Sequence, residues 1–356
     1  MSLKIINLNK FLLAVLIISS GFGFSKSSNY TPKKVCETNK NSKYHARDQI
    51  PSYNAPARID VQAAWDFQIS ASFIYWQPDM LGLDFGLIDS TDLSQHPNEA
   101  VSFHADYYPG FKIMFGTHYN YDNWNTNARY TRFHAKEKET KTPPYWANGL
   151  IFDAFGQNTY LSFMQAKWTP KIDYFDLETG RPFYSGQSLV LKPYLSVRGG
   201  FSKHVYRLRG TTNNITQEAF FKTKSWFLGP RAAFDINWLL GYSFRFFANS
   251  SISLMYQKLK TEYRFTSAFN PLTLTVNLHS KSIQLTPNVD VSPGIGWGSY
   301  FDHNNWHLDV YAAYNFIYFW NQNEFMGVEA FRNNRNFHAT GDLMLHGFEL
   351  TMRIDF

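Results

Sequence analysis

The chain alternates. Its last nine positions read apolar at Phe348, Leu350, Met352, Ile354 and Phe356, and polar at Glu349, Thr351, Arg353 and Asp355. Successive side chains of a strand point to opposite faces, so this stretch has one greasy face and one charged face. The same two-residue period begins at Trp65, where Trp65, Phe67, Ile69, Ala71, Phe73 and Tyr75 alternate with polar neighbours. Between these ends the period predicts further strands at about 101–120, 124–135, 158–175, 187–206, 222–239, 243–261, 281–300 and 306–320. With the closing strand there are ten.

The connections alternate in length. Short ones fall near 121, 178, 241 and 303, the second being the run Asp176–Arg181. Long ones fall near 88, 146, 214, 271 and 330, with polar loops expected over 208–220 and 264–279. Membrane β-barrels of the outer-membrane type have short periplasmic turns and long external loops. The pattern therefore predicts an all-β, up-and-down antiparallel transmembrane barrel over 65–356. A soluble β-sandwich with aromatic sugar-binding faces is the rival, and it has no reason to alternate its loops. Tryptophans are expected in two interfacial belts. Trp65, Trp124, Trp238, Trp297 and Trp306 fall at periplasmic strand ends, and Trp76, Trp226 and Trp320 at external ends. Trp146 and Trp168 do not fit. Pro193, Pro230, Pro287 and Pro293 lie inside predicted strands, where bulges are expected.

Residues 1–25 place two lysines before a short apolar run, Phe11 to Ile18, and end in small residues. That is the pattern of a secretory signal peptide, too short to span a bilayer as a helix. Residues 26–64 lack periodicity and read as a flexible periplasmic arm. Cys36 is the single cysteine, so no internal disulfide exists, and a free thiol is expected. Aromatic residues make up 18% and charged residues 17% of the chain. A soluble domain carries roughly a quarter charged residues.

Several stretches resemble the Legionella-type pore-forming outer membrane proteins, a major-outer-membrane-protein-like family also found in chlamydia-related bacteria. They are Asp176 to Tyr184, Leu191 to Gly199, Gly229-Pro230-Arg231 with Asp235 and Trp238, Ser253 to Tyr256, Tyr314 to Asn323, and Gly341 to Phe356. The resemblance covers residues 65–356 and implies an outer-membrane barrel with pore activity. It supplies no catalytic residue. The closing positions Phe348, Leu350, Met352, Ile354 and Phe356 are expected to act as the signal read during barrel assembly.

Candidate chemistry is sparse. The histidines show no zinc spacing, and Gly294, Gly296 and Gly298 lack the context of a phosphate loop. Those glycines share one face, expected to be the lumen, where they leave room for bulky neighbours. Alternation places Lys112, Arg129, Lys192, Arg198, Arg231, Asp235, Asp290, Asp309, Glu349 and Arg353 on the inner face. Charges of both signs there fit either a charged constriction in a pore or a plug of salt bridges in a narrow barrel. The expectation is a porin-like channel for small hydrophilic solutes or ions. The alternative is a structural or adhesive barrel with a closed lumen, acting through its loops. No enzyme activity, cofactor, metal or nucleic acid is expected. The expected partners are outer-membrane lipid, the barrel assembly machinery and further copies of the chain.

Overall fold

The computed structural model describes residues 59, 61, 67–88, 99–119, 124–142, 147–148, 160–185, 188–212, 215–269, 272–325 and 341–356. The signal peptide, almost all of the arm, Cys36, Trp65, Trp146 and the tight turn at 120–123 lie outside these residues.

Ten long strands form the wall: β1 Phe67–Met80, β2 Tyr108–His118, β3 Asn125–His134, β4 Phe163–Gly180, β5 Leu189–Thr212, β6 Ile215–Gly241, β7 Phe244–Phe269, β8 Leu272–Phe301, β9 Trp306–Asn323 and β10 Gly341–Asp355. Each pairs antiparallel with its sequence neighbours, and β1 pairs with β10 from Gln68 opposite Asp355 to Met80 opposite Leu343. The sheet is closed around the barrel, each wall strand pairing with both neighbours along part of its length, as strands in lipid require, while the first half of β8 (272–287) pairs only with β7. Phe67 and Phe356 exchange backbone hydrogen bonds at 2.9 Å in both directions, so first and last strands meet at one rim.

Burial follows the alternation. On β1 every second residue from Gln68 to Met80 is buried, and Phe67, Ile69, Phe73 and Tyr75 are exposed on the outer face. A soluble protein would not leave such a wall of large apolar groups in water. Around a lipid-spanning barrel it is the expected outer surface.

The structure moves several boundaries. Asp176–Gly180 is not a turn but the end of β4, paired with β3 and β5. The run has a strand's period, with Leu177 out and Asp176 and Glu178 in, and that outweighs its turn-like composition. The polar loops expected at 208–220 and 264–279 are instead ladder. Strands β5 to β8 are 24, 27, 26 and 30 residues long and meet in pairs across 213–214 and 270–271. About 9–11 residues suffice to cross a bilayer, so these strands carry their pairing well beyond it. Polar composition there marks solvated strands rather than loops.

The in-strand prolines make no bulge. Pairing lapses at Gly229–Pro230 between β6 and β7 and at Ser292–Pro293 between β8 and β9, yet the register is the same on both sides of each gap. Proline withholds one donor without inserting a residue, so the ladder skips and resumes. The irregularities lie instead between Leu239 and Gly241 and between Phe319 and Asn323. At the rim where Phe67 and Phe356 meet, the turns Gly241-Tyr242-Ser243 and Asp302-His303-Asn304 hold positive φ at every residue.

The belts are only partly as expected. Trp124, Trp238, Trp297 and Trp306 are exposed on the outer face near one rim, and Trp226 is exposed farther along β6, well inside the strand rather than at its far end Ile215. Trp76 is turned inward and fully buried, donating its indole N–H to Asn315 Oδ1 at 3.0 Å. Tyr75 and Gln77 take the outer positions beside it, so the strand's parity decides against Trp76.

Candidate functional site

The lumen has two tiers. The lower one, toward the termini, is polar. Around mid-wall all ten strands contribute to a layer of charged and hydroxyl side chains, with a small cavity of about 60 Å³ among them. Arg198 is its centre. It sits on β5 directly opposite Asp176 on β4 and is 1% exposed. Its Nε and Nη2 donate to the two Asp176 carboxylate oxygens at 2.7 and 3.0 Å, Nη1 donates to Asn288 at 2.6 Å, and Nη2 lies 2.7 Å from Asp290. The guanidinium also stands 4.6 Å from the ring centre of Tyr174.

Glu178, two residues on, accepts from Arg129 at 3.1 Å, from Asn127 at 3.0 Å and from Arg231 at 3.4 Å. Arg231 donates to Ser251, which passes the contact on to Asp290 at 3.1 Å. Lys112 meets Glu349 at 2.7 Å, and Thr351 donates to the same carboxylate at 3.1 Å. Nearer the rim, Arg245 pairs with Asp309, Arg353 with Asp355, and Asp355 also meets His307 at 3.1 Å. Lys192 faces Asp235 across the β5–β6 ladder.

All ten lumen residues expected from alternation are thus on the inner face, in one connected layer and its rim. Sequence reasoning missed Asp176 and Glu178, the anions that hold three of the arginines, because their composition reads as a turn. The signal was present in the unbroken two-residue period through Gly180. Arg245 was missed as well. The glycines of β8 make its place: an added Cβ at Gly294 would meet the Phe247 ring, at Gly296 the Arg245 guanidinium, and at Gly298 the His307 ring. Gly294, Gly296 and Gly298 do face the lumen, and bulky side chains use the space.

The upper tier is apolar. Trp76, Phe133, Met164, Trp168, Tyr206, Phe221 and Phe265 fill it from the wall. The connection after β1 folds inward as a strap and adds Leu83, Phe85, Val101 and Phe103 to the same core. Phe103 packs 6.4 Å from Trp168 and 5.9 Å from Tyr206, centre to centre. Tyr206 Oη donates to Leu83 O at 3.0 Å, and Asn323 donates to Leu81 O at 2.9 Å. Phe325, just beyond β9, stacks on Tyr206 at 5.7 Å. A cavity of about 400 Å³ lies between the strap and β1.

The proposed assembly residues Phe348, Leu350 and Met352 are exposed on the outer face, and Phe356 stacks on Trp306 at 5.4 Å. His303 and Asp302 lie on an exposed rim turn with 3.7 Å between them. Among the described residues no group of histidines, cysteines and carboxylates gathers as a metal site.

No curated protein matches the sequence. Solved structures to which the chain is similar include the outer membrane protease OmpT of Escherichia coli, at 10% identity and TM-score 0.37, covering 84% of this chain and 98% of that one. OprG of Pseudomonas aeruginosa matches at 14% identity and TM-score 0.26, covering 82% and 99%. A FadL homologue of Pseudomonas aeruginosa matches at 7% and 0.25, covering 82% and 90%. The family profile described as the Legionella pneumophila major outer membrane protein precursor matches residues 60–356. This chain, an integral barrel of the outer membrane, belongs to that major outer membrane protein family.

Proposed function

We propose that the barrel is a narrow, gated pore for ions and small hydrophilic solutes, held closed by the strap. The observation that carries this reading is the charged, hydroxyl-rich layer to which all ten strands contribute, with a cavity among its charges. Buried ion pairs are poor stabilisers compared with apolar packing of the same volume. A barrel needing only a solid core would gain by filling mid-wall with Leu and Phe, as its own upper tier does. A layer of opposed charges instead sets a local field on whatever passes through it.

The upper seal comes partly from a connection rather than the wall. Leu83, Phe85, Val101 and Phe103 belong to the strap, so releasing it opens the apolar tier without breaking any wall ladder. Segments of this kind are drawn from the less stable parts of a fold. In this reading the carboxylates of the layer are held by arginine and lysine and serve the field, so no catalytic role is assigned to them.

The test is conductance in planar bilayers. Parent protein should show rare, small openings, and Phe85→Ser with Phe103→Ser should raise open probability strongly. Lys192→Glu, in the lower lumen, should move the reversal potential toward cations in a salt gradient. The second reading is a permanently closed structural barrel, favoured by how completely Arg198 is paired. A correctly folded strap variant that never conducts would establish that reading over the pore.

A further inference from the structure

Five lysines stand side by side on the outer wall. The ladders set Lys171 of β4 opposite Lys203 of β5, Lys203 opposite Lys224 of β6, Lys224 opposite Lys260 of β7, and Lys260 opposite Lys281 of β8. Directly opposed residues share a face. Their chain neighbours Pro170 and Ile172, Ser202 and His204, Thr223 and Ser225, and Leu259 and Thr261 are buried inward, so the lysines point outward. Strand spacing of about 4.8 Å makes this a row about 19 Å long.

The row should not exist without a partner. Like charges directly opposite one another on a sheet are unfavourable. Among the described residues none of the five forms an ion pair or a side-chain hydrogen bond, whereas nearby Lys222 is held by Glu262 at 2.7 Å and His134 by Asp173 at 2.9 Å. Lys222 is thus neutralised, whereas these five, like the outward Lys258 next to Lys260 on β7, have no ion pair among the described residues.

Depth identifies the partner. On β6 the outward positions between Trp238 and Trp226 are Ile236, Phe234, Ala232, Pro230 and Leu228, with no charge among them. Those two tryptophans are 12 residues apart. At about 3.3 Å per residue and a tilt of about 40° they span about 30 Å along the membrane normal, close to the ~25 Å apolar band of such barrels. Lys224 is the next outward position past Trp226, on the side away from the rim where Phe67 and Phe356 meet. Phe201 likewise precedes Lys203. Lys224 and Lys203 therefore lie at headgroup level on the external side, and the row crosses that level obliquely, changing depth by about 12 Å from end to end because the strands are tilted.

We infer that the lysine row on β4–β8 is a docking strip for the phosphate groups of the outer-leaflet glycolipid. Acyl chains would lie on Phe201, Trp226, Leu228 and Leu254 below, while the phosphates bridge adjacent lysines. This inference does not depend on the barrel being a pore.

The test uses the full chain folded in a zwitterionic detergent, with heat-shifted gel mobility to verify folding. Parent and the variant Lys203→Gln/Lys224→Gln/Lys260→Gln/Lys281→Gln are titrated with bisphosphorylated lipid A, dephosphorylated lipid A and inorganic phosphate, following the rise in melting temperature. Parent should respond to bisphosphorylated lipid A at concentrations where the other two ligands do nothing. Each lysine should contribute about fivefold in apparent affinity, so the quadruple variant should lose about 600-fold. Lys222→Gln, whose charge is already neutralised, should bind like the parent. Lys224→Gln and Lys260→Gln singly carry the same test if the quadruple variant fails to assemble. Equal response of parent and variants, or an equal response to dephosphorylated lipid A or free phosphate, would overturn the inference.

Discussion

Arg198 and Asp176 face each other across β5 and β4 in a two-pronged ion pair, with N–O distances of 2.7 and 3.0 Å. Both are 1% exposed. Asp176 depends on this pair more than Arg198 does, because Arg198 also meets Asp290 at 2.7 Å while the close ion pair of buried Asp176 is with Arg198. Three further groups, Asn288, Asp290 and Tyr174, complete the arginine's surroundings.

Asp176→Ala should therefore be among the most damaging single changes in the barrel. Removing one partner of a buried pair costs about 3–5 kcal/mol, mostly from the charge left behind. Asp176→Ala combined with Arg198→Met should recover much of that loss. Thermal unfolding of the two variants, followed by heat-shifted gel mobility, measures the difference. A double variant as unstable as the single one would mean that Asp290 and Asn288 depend on Arg198 as much as it depends on them.

Leu350 tests the outer face. It is 55% exposed on β10, directly opposite Phe73 on β1. Leu350→Arg should cost about 2–4 kcal/mol if it lies near the bilayer midplane, while Leu350→Phe should be close to neutral. Its neighbour Thr351 is fully buried and donates to Ser72 at 2.7 Å. An arginine there should also be poorly tolerated, by crowding rather than by lipid. Folding yields into bilayers of different thickness separate the causes, since only the Leu350 effect should depend on thickness.

Gly294 tests the inner face. An added side chain would run into the Phe247 ring and the Ala312 carbonyl. Gly294→Val should lose about 1–3 kcal/mol, the usual cost of overpacking. Phe247→Ala should relieve part of it, the backbone contact keeping the rest. Denaturant midpoints of the single and double variants give the coupling.

If the strap gates the pore as proposed, gating should respond to pH. Asp84, exposed on the strap, has its carboxyl pushed up by partial burial, with the nearby Asp79 adding to the shift. A carboxyl with a higher pKa in the docked strap than in a released one opposes docking at neutral pH. That penalty fades as pH falls through the docked pKa and is gone below the ordinary carboxylate value of about 4. Mild acid should lower open probability, and Asp84→Asn should be more closed at neutral pH and less sensitive to acid. An open probability that rises on acidification in the parent would reverse the sign and reject the mechanism.

The two-residue period was enough to determine the class of fold, the number of wall strands and the face of the ten lumen charges it named. Strand parity is a local property, and lipid outside a closed sheet leaves it nothing to compete with. Trp76 shows where composition misleads: an aromatic near a strand end suggests a belt, but parity turns it inward onto Asn315. Asp176 and Glu178 show the same for turns. Their composition suggests a bend, yet the ladder to β3 and β5 keeps them extended and makes them the anchors of the arginines. Two things needed the tertiary structure. The lysine row appears only once register aligns residues from five strands, for sequence does not state which residue of one long strand meets which of the next. The filling of the upper lumen by Phe85 and Phe103 is likewise invisible locally, because the strap's two short strands are too brief to carry a period, and its place is set by the apolar cavity that Trp168, Tyr206 and Phe221 leave to be filled.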